Sequence, residues 1–420
     1  MISQKSFYKL IQTVFFGLIS FTLVWALWTE IPYNTVIYTV ACFGLFVLNL
    51  AVFQNRNLYP YMLKIMPVYA CLAIWSAFMV IGYGFFYSVH TEIDFLFYNT
   101  DSYAVFFMKV FLIITPCMFF VDFNKLYETK FFKIIVGIIL VTSTLFTIRA
   151  TNFYSDALRA RDTMELRGEE EYLLGTPGYA IIYGLALLFP IFLQKCKDEK
   201  GKSRWFYIIS TMMIAYMIIA SQFATASILA LIGTIVFLFF YFKGNTKLIF
   251  FFVVITVVVF VHGFELDSLI LSSLSNKVDG TWSVKLQDMA DSLSSGDFMG
   301  SLLSRTDLYG KSFQAFLESP LFGKLSKPTN NLGGHATAID TLGLVGIVGF
   351  IPLMFTVWFQ YKRMKYTCNY MKNKSAINAC VIEFIILIFL KNIVTSFAIF
   401  FSFFVLAPLL LKIQKEDRNK

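Results

Sequence analysis

The chain has 420 residues, of which 58% are hydrophobic and 15% charged, and its mean hydropathy is +0.68. That balance excludes a soluble globular domain. The formal net charge of +9 follows a membrane topology, described below, and is no nucleic-acid footprint.

In chain order, apolar runs that match the roughly 20 residues a helix needs to cross a bilayer fall at about 8–28, 36–53, 65–87, 104–121, 134–148, 177–194, 206–221, 226–242, 248–264, 338–360, 377–391 and 397–411. They are too long for β-barrel strands and do not alternate. The expected fold is an all-α polytopic membrane protein of about twelve transmembrane helices, with residues 1–420 forming a single integral membrane domain. The first run has lysines before it, no small-residue cleavage site after it, and more length than a signal-peptide core, so it reads as a retained helix. The pair around Ser221–Thr225 and the last two runs read as tight hairpins. Trp25, Trp28 and Tyr33, and Trp358 with Tyr361, fit interfacial belts.

If the N-terminus is cytoplasmic, 23 of the 35 basic residues fall on inside segments, and the outside turns at 29–35 and 88–103 carry none. The positive-inside rule therefore predicts cytoplasmic N- and C-termini. None of the six cysteines falls in an outside loop, so disulfides are not expected and their scatter argues against a thiolate metal site.

Two outside loops are longer than a turn needs. The loop at 149–177 carries Arg149, Arg159, Arg161 and Arg167 and then Glu169, Glu170 and Glu171. The segment 265–337 is the largest polar interruption in the chain, and the short helices expected in it include one at 281–292. A second is expected to begin at Ser304-Arg305-Thr306-Asp307, with Ser304 as N-cap. Leu302, Thr306, Tyr309, Phe313, Phe316 and Leu317 give it an apolar stripe, Pro320 ends it, and Gly333-Gly334 lets the chain turn before His335.

Arg305 is the first candidate for chemistry, since a guanidinium at a helix N-terminus suits a phosphate. A surface arginine near lipid headgroups is the plainer reading. Arg159 and Arg161 stand against the positive-inside bias, which a phosphate-bearing ligand would explain; pairing with Asp162, Glu165 and Glu169–Glu171 would explain it as well. His335 is a candidate general base, with Asp340 as a possible support, and a merely hydrogen-bonded interfacial histidine is the alternative. Gly343, Gly346 and Gly349 read as close helix packing rather than nucleotide binding. Lys109, Glu383 and Lys391 are ionisable groups in or near apolar runs and should face the bundle interior.

Ser304-Arg305-Thr306-Asp307, Glu318-Ser319-Pro320-Leu321-Phe322-Gly323, and Gly333-Gly334-His335 followed by Ile339-Asp340-Thr341-Leu342-Gly343 and Gly346 form a pattern. It resembles bacterial O-antigen polymerases and O-antigen ligases. The arginine loop followed by Gly178-Tyr179 is similar to that family's other outer loop. Ser221-Gln222 sits where the family has Ser-Arg, and Ala336 where Ser or Asn is common.

The resemblance implies a GT-C-like membrane glycosyltransferase that builds surface polysaccharide such as O-antigen, capsule or exopolysaccharide. It would pass a glycan from an undecaprenyl-diphosphate carrier to an acceptor sugar on the outer leaflet of a bacterial cytoplasmic membrane. By the same resemblance Arg305, Arg159 and Arg161 would hold the diphosphate and His335 would take the acceptor proton, with no cofactor or metal. The partners it implies are the lipid-linked oligosaccharide, membrane lipid, and a chain-length regulator and flippase of the same pathway. Polymerase is the leading reading, ligase its rival within the class, and a lipid-linked oligosaccharide flippase or transporter the rival outside it.

Overall fold

The computed structural model describes residues 17, 24–29, 40, 44, 59–89, 110–123, 130–153, 157–158, 174–263, 266–278, 280–295, 300–325, 332–394 and 396–413. Among the described residues there is no strand. After one turn at Ala26–Thr29 the helices are α1 (Tyr59–Val89), α2 (Thr115–Phe123, entered through a π-turn at Val110–Ile114), α3 (Lys130–Phe153), α4 (Tyr179–Asp198), α5 (Lys202–Ala220), α6 (Ala224–Tyr241) and α7 (Asn245–Gly263). Three amphipathic helices follow: α8 (Leu266–Ser275), α9 (Thr281–Ser295) and α10 (Gly300–Glu318). The chain closes with α11 (Thr337–Thr367), α12 (Tyr370–Leu390), α13 (Phe397–Phe401) and α14 (Ala407–Lys412).

Seven of these, α1, α3, α4, α5, α6, α11 and α12, are long and apolar enough to cross a membrane. The sequence had pointed to about twelve. The runs expected at 8–28 and 36–53 lie outside the described residues, apart from a few positions. Among the described residues, three others form shorter apolar helices, Leu112–Asp122, Asn245–Val259 and Phe397–Lys412. The last is not one regular helix, because a π-turn at Ser402–Leu406 separates α13 from α14. Helices suit such sequences because each satisfies its backbone groups within itself, which a lipid solvent cannot do. Ile134, Ile138 and Leu145 of α3, Trp205 and Met212 of α5, and Phe252 and Val258 of α7 point outward.

Helix α11 is the axis of the bundle. Its 31 residues span about 46 Å at about 1.5 Å per residue, more than the roughly 30 Å of bilayer hydrocarbon. Trp75 of α1 donates its indole hydrogen to Thr341 Oγ1 at 3.1 Å, both buried. Gly82 of α1 lies so close to Leu344 and Val345 that a Cβ there would stand 2.9 Å from each. Phe384 of α12 stacks on Phe403 at 3.9 Å between centroids, and Phe400 and Phe404 close the cluster edge-on.

One end of the bundle is built from lysine and arginine. There Arg363 forms a two-pronged ion pair with Asp122 of α2, Nε to Oδ2 at 2.7 Å and Nη2 to Oδ1 at 2.9 Å. Its Nη1 donates to Gln360 Oε1 and to the Phe404 carbonyl, whose i+4 residue, Pro408, has no N–H to offer. The sequence reading had put Arg363 in a polar loop after a span ending near 360. Instead α11 runs on to Thr367 and carries Arg363 into the interior, where a fully bonded guanidinium can be buried. Lys195 donates to the Ile413 carbonyl at 2.7 Å, and Lys412 to the carbonyls of Val121 and Asp122. These cations cap helix C-termini, where unpaired carbonyls and the helix dipole favour positive charge.

Candidate functional site

The opposite end carries α8–α10 and the turn before α11. Asp340, in the first turn of α11, is 1% exposed. Its carboxylate accepts from Ser312 Oγ of α10 at 2.6 Å, from the Ala336 amide at 2.9 Å and from the Gly334 amide at 3.2 Å. Ser312 Oγ in turn accepts from the Gly333 amide at 2.9 Å. The sequence offered Asp340 as a possible support for His335. The structure shows how it reaches that turn: residues 333–336 are not helical, and Asp340 grips the backbone on both sides of His335.

The two glycines are required here. Gly334 has φ +70°, and a Cβ on Gly333 would stand 2.0 Å from the Leu308 carbonyl oxygen. From the other side, Asn392 Nδ2 donates to the Gly334 carbonyl at 3.3 Å, while Thr337 bonds the backbone of Lys391 and Ile393. His335 is therefore an exposed side chain on a turn clamped from three directions, and it is close enough to Asp340 for their charges to interact.

Arg305 departs from expectation. Helix α10 begins at Gly300, so Arg305 lies in its second turn and not among the free amides of an N-terminus. The capping reading of Ser304 fails because the helix starts before it. What remains is the guanidinium itself, half-buried and without an ion-pair partner among the described residues. It acts electrostatically on Tyr309, one turn on, and on Tyr183 of α4. Tyr309 donates to the Leu390 carbonyl at 2.8 Å. Burial raises the Tyr309 phenol above its ordinary pKa, the Arg305 charge opposes that rise, and the Asp340 charge adds to it.

The expected apolar stripe on α10 is also corrected. Ser312 and Ala315 form its buried face, while Phe313 and Leu317 point away from the bundle.

Below Arg305 the wall is aromatic. Tyr183 bonds Thr225 of α6. The Tyr179 ring lies 4.5 Å from Tyr183 and 5.8 Å from Phe223. Lys391 Nζ, at the end of α12, sits 5.8 Å from the Tyr179 centroid. Sequence reading had noted Lys391 only as an ionisable group near a span. Its placement at the end that should be poor in positive charge was the signal that could have made it a candidate.

Gln222, standing where the resembled family has arginine, is 5% exposed with φ +55°. Its side-chain carbonyl accepts from the Trp282 amide at 3.2 Å, and the Trp282 indole donates to the Ile219 carbonyl at 3.2 Å. It thus fastens α9 to the α5–α6 hairpin. Arg159, Arg161 and Lys109 lie outside the described residues; the adjoining Ala157 and Leu158 are buried. The structure therefore brings Arg305, Tyr309 and Asp340 within electrostatic reach of one another at one end, where Asp340 also clamps the His335 turn, with Lys391 beside them. Compared with models of known protein families and with curated proteins, the chain matches none.

Proposed function

We propose that this chain is a glycosyltransferase that polymerises polyprenyl-diphosphate-linked oligosaccharide units on the outer leaflet of a bacterial cytoplasmic membrane. The observation that carries the reading is a half-buried Arg305 with no ion-pair partner among the described residues, set over tyrosines at the rim of an apolar bundle. Beside it, an exposed histidine is fixed on a clamped turn. A substrate whose charge arrives on a lipid suits that position.

In the reaction the acceptor sugar hydroxyl loses its proton to His335 as its oxygen bonds the donor's anomeric carbon. The bond from that carbon to the diphosphate oxygen breaks, and the lipid diphosphate leaves with the electron pair. Arg305, with Lys391 nearby, offsets the growing charge on the leaving group. Arg159 and Arg161 are the further diphosphate contacts this reading calls for. Asp340 acts as a positioning residue, through the His335 backbone.

Surface polysaccharide from cells lacking the chain tests the reading on a gel. Loss of the long-chain ladder with a single repeat retained supports polymerase. Full-length polymer left on its lipid carrier reassigns the chain as a ligase, and repeat units trapped on the cytoplasmic leaflet make it a flippase.

A further inference from the structure

At the lysine-rich end, far from this site, a groove of about 550 Å³ runs between α6, α11 and α12. Its walls are apolar and aromatic, with Phe240, Val357, Trp358, Tyr361, Val381 and Ile385 among them. Trp358 is 49% exposed, so the groove opens sideways onto whatever surrounds the bundle. A Tyr361–Tyr370 hydroxyl contact at 3.3 Å, continued to Asn378 at 3.5 Å, marks its polar margin.

Three exposed lysines stand over these rings. Lys374 Nζ is 5.8 Å from the Phe240 centroid, Lys365 Nζ is 4.6 Å from Tyr370 and 5.2 Å from Tyr361, and Lys362 Nζ is 4.8 Å from Trp358. None of the three has a carboxylate partner among the described residues. An apolar slot open to the side takes a hydrocarbon chain, and unpaired ammonium groups at its margin take a negative charge. Basic pockets between membrane helices hold acidic headgroups in this manner.

We infer that the groove binds one anionic membrane lipid in the leaflet at the lysine-rich end, its acyl chain against Trp358 and Val381 and its phosphate among Lys362, Lys365 and Lys374. The inference is independent of the glycosyl-transfer reading, since it concerns another end of the molecule and another ligand. Ordinary snorkelling of lysines over aromatic rings among unselected lipids is the competing account.

The test uses the full chain in phosphatidylcholine nanodiscs. Brominated phosphatidylglycerol or brominated phosphatidylcholine is added at equal mole fraction, and the Trp358 signal is isolated by subtracting that of the Trp358→Phe protein. Phosphatidylglycerol should quench at a roughly tenfold lower fraction than phosphatidylcholine, given the attraction of several lysines. That preference should vanish in Lys365→Gln/Lys374→Gln. It should also vanish in Val381→Phe, which fills the groove and leaves every lysine in place. Equal quenching by the two lipids overturns the inference, as does a phosphatidylglycerol preference that survives either change.

Discussion

A guanidinium among tyrosines at the edge of an apolar bundle meets few natural ligands, and an anion delivered on a lipid is one of them. If Arg305 neutralises a leaving diphosphate, Arg305→Ala should lower chain extension by about 10²–10³-fold. Arg305→Lys should recover only part, because an ammonium does not match a phosphate bidentately. Normal long-chain polymer from the alanine variant would remove Arg305 from the mechanism. His335→Ala should lower turnover by about 10²–10⁴-fold while leaving donor binding near the original; weaker binding with unchanged turnover would make it a binding residue. Lys324 permits a pH prediction. It is 3% exposed beneath the turn after α10, and burial draws its pKa down from 10.5 to about 8, against the pull of Glu318. Between about 8 and 10.5 the unfolded chain therefore holds the extra proton, so stability should rise with pH across that window. Lys324→Met should raise the melting temperature in detergent near neutral pH, and the gain should shrink as the pH climbs through the window. A gain that stays constant would show that burial of the charge is not what Lys324 costs the fold.

The most consequential junction between elements is where the turn after α10 meets α11. Gly346 has φ +64°, and the helix breaks there. The freed amides of Ile347 and Val348 donate to the carbonyls of Pro320 and Leu321 at 2.9 and 3.3 Å. Gly343 lies so close to Ser312 of α10 that a Cβ would stand 2.5 Å from its carbonyl oxygen. The Pro320-Leu321-Phe322-Gly323 turn is thus a plug seated in the axis helix, and it fixes how α10 holds Arg305 and Ser312 over the His335 turn. Gly346→Ala places a Cβ 2.3 Å from the Leu321 carbonyl oxygen at a left-handed φ. It should cost at least about 2 kcal/mol, read as an earlier thermal transition in detergent. An unchanged transition would mean the plug adds little. Of the three spaced glycines, Gly343 packs closely against α10 and Gly346 against the turn after it, whereas Gly349 meets only Val345 and Thr341 of its own helix. The first two partners are nonlocal contacts that spacing along one helix does not encode.

At the scale of the whole molecule, the two ends differ in chemistry. Lys195 and Lys412 cap helix C-termini and Arg363 pairs with Asp122 at one end, and α8–α10 crown the other. With cytoplasmic termini, Lys285→Cys on α9, in a chain whose six native cysteines are replaced, should react with a membrane-impermeant thiol reagent applied from outside. Labelling from the cytoplasm alone would invert the orientation and remove the proposed site from the outer leaflet.

The sequence by itself determined the helical class, the course of most apolar helices, a helix at 281–292 that the structure extends to Ser295, and the stop before Pro320. Each follows from local hydropathy or turn chemistry, which neighbouring residues express without help. Tertiary structure decided the rest. It carried Arg363 out of a presumed loop to Asp122, began α10 early enough to deny Arg305 a helix terminus, and made Asp340 the clamp on the backbone either side of His335. It also brought Lys391 and Tyr309 into the site. Those outcomes depend on charges and backbone amides meeting across helices far apart in the chain, and pairing of that kind leaves no period in a linear sequence.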